Sequence, residues 1–167
     1  MPTSVQGTDG RTERLEQVVK LLRGKVAEPQ QATLEAFVRR YFGQVDPEDL
    51  DEREPADLYG AALSHWNFAH RREPGQVRLR AFNPTIAEHG WQSTHTIIEI
   101  VNDDMPFLVD SVTMEVNRNG LTLHLIIHPL LGVDRAADGT LQGLDEGSGA
   151  GREIGRASCR ERVLTDV

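Results

Sequence analysis

Cysteine is nearly missing from this chain, with Cys159 alone among 167 residues, which excludes a disulfide framework and any cysteine-built metal cluster. Lysine is almost as scarce, limited to Lys20 and Lys25, and genomic base composition accounts for the arginine bias. No apolar run approaches the roughly 18 residues that suggest a membrane span. The start, MPTSVQGTDGRTE, lacks the apolar core of a signal peptide, so a cytoplasmic protein is expected. An excess of positive charge is also lacking: the formal net charge is -8, which argues against an electrostatic footprint for nucleic acid or an anionic membrane surface.

Phosphate-cradling loops are absent too, since neither GxGxxG nor a Walker lysine motif occurs. The one glycine cluster, GSGAG at 147–151, follows no strand-to-helix pattern and reads as a linker. Ser64 and Ser93 lack the strained, glycine-flanked turn that exposes a catalytic serine. Trp66 and Trp91 read as core or interface aromatics rather than base-stacking platforms, given the acidic balance.

What is present is enough apolar material, 38% of residues, for one domain of ordinary size or a small domain with an incomplete neighbour. In residues 12–27, Leu15, Val18, Val19, Leu22 and Val26 recur at helical spacing. From Pro29, a second helix carries Leu34, Phe37, Val38, Tyr41 and Phe42, with Gly43 as its stop. The acidic, proline-marked stretch from Asp46 leads into a third helix over Ala56–His70, whose stripe is Leu58, Ala61, Ala62, His65, Trp66 and Ala69. Pro74-Gly75 breaks it. Residues 76–82 then alternate Val77, Leu79 and Ala81 against Gln76, Arg78 and Arg80, the pattern of a strand buried on its aliphatic side.

From residue 94 the expected order is strand (94–102), helix, strand (121–135), a tight turn at Asp138-Gly139, and a short return strand (140–144). The stretch VNDDMPFLVDSVTMEV at 101–116 opens the helix. Asp103 and Asp104 read as its N-cap and neighbour, Pro106 as part of its first turn, and Leu108, Val112 and Val116 as its apolar face. Asn119-Gly120 closes it. An acidic metal loop is the weaker reading, because no third ligand stands at a suitable spacing. Among the six histidines, His124 and His128 fall on one face of an expected strand about 13 Å apart, too far to share one zinc.

Three stretches carry a resemblance: the acidic run DPEDLDEREPADLYGA, the segment ALSHWNFAHRREPG (62–75), and HGWQSTHTIIEIVNDDMPFLVDSVTMEVNRNGLTLHLIIHP (89–129). Together they resemble the N-terminal part of the large bacterial NAD-specific glutamate dehydrogenases, over about residues 12–146. The resemblance implies an α+β chain: a disordered start (1–10), a helical leader (11–75), and an incomplete ACT-like, ferredoxin-like βαββαβ module (76–146), with its second helix and last strand missing. It further implies a parent enzyme that converts L-glutamate and NAD to 2-oxoglutarate, ammonia and NADH. The family's catalytic lysine and dinucleotide-binding segments have no counterpart here, so no catalytic or cofactor-binding residue carries over, and NAD belongs to the parent.

The implied partners are the remaining domains of the parent, further copies in a homo-oligomer, and a small amino-acid effector. If an effector or interface site exists, the sequence places it at the strand-to-helix junction Asn102, Asp103, Asp104, Met105 and Pro106, with His124 and His128 on an exposed sheet face. EIGRASCRERV at 153–163 reads as the translation of a common short-read sequencing adapter, so residues 147–167 are expected to be a linker and a foreign tail outside the fold. Two alternatives stand beside this reading. One is a free-standing ACT-like module that binds an amino acid or a protein; the other is a small metal-dependent hydrolase using His89, His95, Asp103 and Asp104.

Overall fold

The structure, a computed structural model, describes residues 6–145 and 157–166. Its helices follow the sequence periodicity closely. Helix α1 (Gln6–Lys25) buries Leu15, Val18, Val19 and Leu22 on one face. Helix α2 (Glu28–Tyr41) begins with proline in its first turn and buries Leu34, Phe37, Val38 and Tyr41. A five-residue helix, α3 (Pro47–Asp51), falls in the acidic stretch, where the Asp46 side chain accepts from the Glu48 N–H and caps it. Helix α4 (Pro55–Ala69) again starts at a proline and ends within one residue of the expected position. Helix α1 begins inside the stretch read as a disordered start. Arg11 bonds to the carbonyls of Gly43 and Val45, and Arg14 to the Asp51 carbonyl, which ties the front of α1 to the α2–α3 region.

The remaining elements are β1 (Arg78–Phe82), α5 (Ile86–His89), β2 (Ile97–Asp103), α6 (Leu108–Arg118), β3 (Ile126–Ile127), β4 (Leu130–Arg135), β5 (Leu141–Leu144) and β6 (Ala157–Asp166). They form one antiparallel sheet in the order β1-β2-β6-β4-β5, with β3 also pairing β6. Because β2 and β4 are both antiparallel to β6, they run parallel to each other with α6 between them in sequence. That is a split βαβ unit, the heart of a ferredoxin-like module. Strand β1 takes the edge beside β2.

Residues 157–166, set outside the fold on sequence grounds, hold the middle of this sheet as β6. Between two parallel strands one strand's width apart lie two rows of unpaired backbone groups, and such a gap draws in a strand through main-chain hydrogen bonds. The glycine cluster at 147–151 lies outside the described residues.

Two turns behave as the sequence implies. Gly139, at φ 84°, closes the β4–β5 hairpin, with the Asp138 carboxylate accepting from the Thr140 N–H. At the end of α6, Gly120 has φ 72°, the Gly120 N–H donates to the Asn117 carbonyl, and the Leu121 N–H donates to the Val116 carbonyl, a Schellman closure.

Two strand expectations are corrected. Strand β1 is inverted: Arg78, Arg80 and Phe82 are half-buried, whereas Val77 and Leu79 are 59% and 63% exposed and Ala81 is exposed. The arginines win the inner face because α4 offers them partners, described below. The long strand expected over 121–135 is only β3 and β4, and residues 121–125 are not in a strand. Pro129 lies between the two pieces, where it can donate no ladder hydrogen bond.

One hydrophobic core joins the leader to the sheet. Val18, Phe37, Tyr41 and Ala62 from the helices pack in the same cluster as Ile97, Ile127, Leu131 and Val133 from the strands. No helix among the described residues is long and apolar enough to cross a membrane.

Candidate functional site

The strand-to-helix junction departs from its sequence reading. Helix α6 starts at Leu108, two residues beyond Pro106, and its N-cap is Phe107 with φ 62° and no side-chain cap bond. Neither Asp103 nor Asp104 is therefore its N-cap residue. Asp103 ends β2 and receives a 2.6 Å hydrogen bond from the buried guanidinium of Arg72, while the Asn102 amide lies 3.3 Å from the Met105 sulfur. A buried arginine is the stronger attractor because a charge taken from water must find a counter-charge. Asp104, Met105 and Pro106 are exposed, and Phe107 is 76% exposed.

Alternation along β2 points Ile97, Glu99, Val101 and Asp103 toward α4. A polar network forms there. Glu99, only 1% exposed, accepts from the Ser64 hydroxyl at 2.9 Å and from Arg80 Nε at 2.6 Å. Burial pushes the Glu99 carboxyl up from its ordinary pKa, and the bonds and charge of Arg80 with the Ser64 bond oppose that. The Arg80 guanidinium also lies over the rings of Phe68 and Phe82.

His65 is buried between Tyr41 and β2, with Nδ1 3.1 Å from the Tyr41 hydroxyl and Nε2 3.3 Å from the Ile100 carbonyl. A neutral ring donating from Nε2 satisfies both contacts. Burial depresses its pKa to about 3, with Arg80 adding a smaller downward push. The C-terminal carbonyls of α4 attract cations, as a helix end does. Arg135 donates to the carbonyls of Ala69 and Gly139 at 2.8 Å each, and Arg78 donates to that of Phe68 at 2.9 Å.

A cavity of about 420 Å³ lies between the leader helices, the 91–95 loop and residues 125–127. Phe42, Leu58, Ala61, Trp91, Leu125 and Ile127 form its floor and are themselves buried. Trp91 reaches it across Gly60 of α4, where an added Cβ would collide with the Cβ and Cγ of Trp91. At the mouth stands His95, its ring tilted against that of His124 with centroids 4.0 Å apart.

Comparison with known proteins adds a family. Residues 37–163 match the model of the "Glutamate dehydrogenase, ACT1 domain" family. The chain belongs to the glutamate dehydrogenase ACT1 domain family. It is 41% identical over 134 residues, 80% of its length, to the NAD-specific glutamate dehydrogenase of Halomonas elongata. To the NAD-specific glutamate dehydrogenase of Pseudomonas aeruginosa it is 38% identical over 122 residues, 73% of its length. In both cases it spans 8% of the relative's length. No solved structure matches it.

In this ACT1-family chain the sequence-derived site residues are not one site. Strand β2 alone spans about 20 Å at about 3.3 Å per residue, so His95, which precedes it, and Asp103, which ends it, lie at opposite ends of the strand. His124 lies against His95, away from the Asn102–Pro106 junction, and it sits outside any strand. His128 is half-buried beside Pro129, with a buried Nδ1 that makes no hydrogen bond among the described residues. The four residues of the hydrolase alternative are dispersed: His89 Nδ1 accepts from the Thr85 N–H, and Asp103 is held by Arg72. Among the described residues no three histidine, cysteine or acidic side chains gather as a metal site.

Sequence reasoning missed Glu99, Arg72 and Arg135 as buried charges. For Glu99 a signal existed: a lone acid amid IIEIV in a strand is either a turned-out position or a paired, buried one. The cavity gave none, because its walls come from five separate stretches of chain.

Proposed function

We propose that this chain is the leading, non-catalytic part of an NAD-dependent glutamate dehydrogenase and that it serves assembly or control of that enzyme. The parent oxidises L-glutamate to 2-oxoglutarate and ammonia with reduction of NAD, using domains that lie outside this sequence. The observation that carries the reading is the match to two NAD-specific glutamate dehydrogenases at 41% and 38% identity over most of the chain.

Exposed apolar side chains support an assembly role. Val77, Leu79, Met105, Phe107, Met114 and Leu121 are all exposed. Met105 and Pro106, beside Phe107, form the part of the junction where another domain or subunit seats, and a homo-oligomer follows if that neighbour belongs to a second copy. His124, beside His95, and His128 lie apart from that junction and serve a separate contact or an effector's.

The test is deletion of the corresponding residues from a full-length dehydrogenase of this family, followed by light scattering and by NADH formation from glutamate. Altered assembly or effector response, with turnover per assembled active site retained, supports the proposal. Unchanged assembly and response contradict it, as does glutamate-dependent NADH formation by the 167-residue chain alone.

A second reading, a free-standing ACT-like binding module, is favoured by one observation. Strand β1 occupies the edge beside β2, so the sheet has a strand there without a later one being supplied.

A further inference from the structure

We infer that the cavity between the leader helices and the 91–95 loop is a binding site for a small amphipathic primary amine, an apolar body carrying an ammonium head. A space of about 420 Å³ walled by buried aromatic and aliphatic side chains is of the size that small-molecule sites occupy. Phe42 and Trp91 offer it flat apolar walls, and Ala61, the smallest floor residue, leaves the depth unfilled.

The mouth decides the head group. Glu52 and Asp57 stand there against Arg53, the one arginine among the described lining residues, and Glu54 sits beside them at the N-cap of α4. Arg53 directs a guanidinium N–H to the carbonyl of Asp49 within α3. The N-terminal end of α4 contributes about half a positive charge, less than these acids supply.

Asp57 Oδ1 accepts the Gln92 N–H at 3.1 Å, which fixes the loop that brings Ser93, Thr94 and His95 to the rim. Ser93 Oγ accepts the His95 N–H and Thr94 Oγ1 lies 3.3 Å from His95 Nδ1, which leaves each hydroxyl oxygen a lone pair for an ammonium with three N–H donors. The net charge of -8 favours cation approach over anion approach from a distance. None of these groups belongs to the strand-to-helix junction, so the inference stands whether or not the parent is a dehydrogenase.

The experiment titrates the full chain with three molecules that share one body: phenethylamine, phenylalanine and 3-phenylpropanoate. Binding is followed by calorimetry and by tryptophan fluorescence, since Trp91 walls the cavity. Phenethylamine is expected to saturate, phenylalanine to bind more weakly, and 3-phenylpropanoate not to bind.

Asp57→Asn keeps an oxygen for the Gln92 N–H but removes the charge, and should weaken the amine about tenfold. Ala61→Leu fills the floor; it should abolish binding while leaving the melting temperature unchanged or higher. Tighter binding of the carboxylate than of the amine would overturn the inference. Equal amine affinity in the Asp57→Asn protein, or no saturation by any of the three in a folded chain, would overturn it as well.

Discussion

At the scale of single residues, His65 carries the clearest pH dependence. Folded, it is neutral, with its pKa depressed to about 3 from an ordinary 6.5. Below pH 6.5 the unfolded chain therefore takes up a proton that the folded chain refuses until pH falls to about 3. Stability drops across that window by about 1.4 kcal/mol per pH unit. Urea titrations at pH 7 and pH 5 should show the native chain losing about 2 kcal/mol more than His65→Gln, which cannot titrate; equal losses would contradict the assignment. Gly60 gives a second residue-level test. On propensity alone, Gly60→Ala should stabilise α4 by about 1 kcal/mol, yet its methyl would collide with Trp91. A lower melting temperature and a more exposed tryptophan emission are expected, and a higher melting temperature would refute the contact. His65 was legible only as a member of the α4 stripe, because its partners Tyr41 and Ile100 are remote in sequence. Gly60 showed no signal for the same reason.

At the scale of elements, the helices were legible because their spacing is set by what one face buries. Leu15, Val18, Val19 and Leu22 in α1, and Leu34, Phe37, Val38 and Tyr41 in α2, are core residues in the structure as in the pattern. Strand facing was harder. In β1 the alternation is real but the aliphatic side faces out, since Arg80 reaches Glu99, Ser64 and the Phe68 ring on the inner side. Substitution distinguishes the two faces. Leu79→Ser should change stability by no more than about 0.5 kcal/mol. Arg80→Ala strands a buried carboxylate and should cost about 2 kcal/mol. Chemical denaturation giving the opposite order would restore the aliphatic face to the core. The N-cap reading of Asp103 failed through a similar competition: a local signal, an acid before a helix, lost to Arg72, 31 residues away.

At the scale of the whole molecule, the α+β class and the family were legible in long, ungapped motifs, while the closure of the sheet was not. A central strand at 157–166 could not be read from a segment that resembles adapter sequence, because its place is fixed by the two strands it lies between. Strand β6 pairs with β2 on one side and with β3 and β4 on the other. Hydrogen exchange on the full chain and on one ending at Asp145 should therefore show β2 and β4 amides losing protection in the shorter chain, with α1, α2 and α4 retaining theirs. Identical exchange in the two would mean that β6 contributes nothing to the sheet. The central proposal is that these residues form the leading part of a dehydrogenase. It is tested most directly by sequencing the source DNA across the codons for Gly147 to Arg152 and onward. The account predicts a reading frame that continues into further ACT-like modules and a lysine-bearing nucleotide-binding domain. A genomic frame that instead encodes EIGRASCRERVLTDV followed by a stop codon would contradict it.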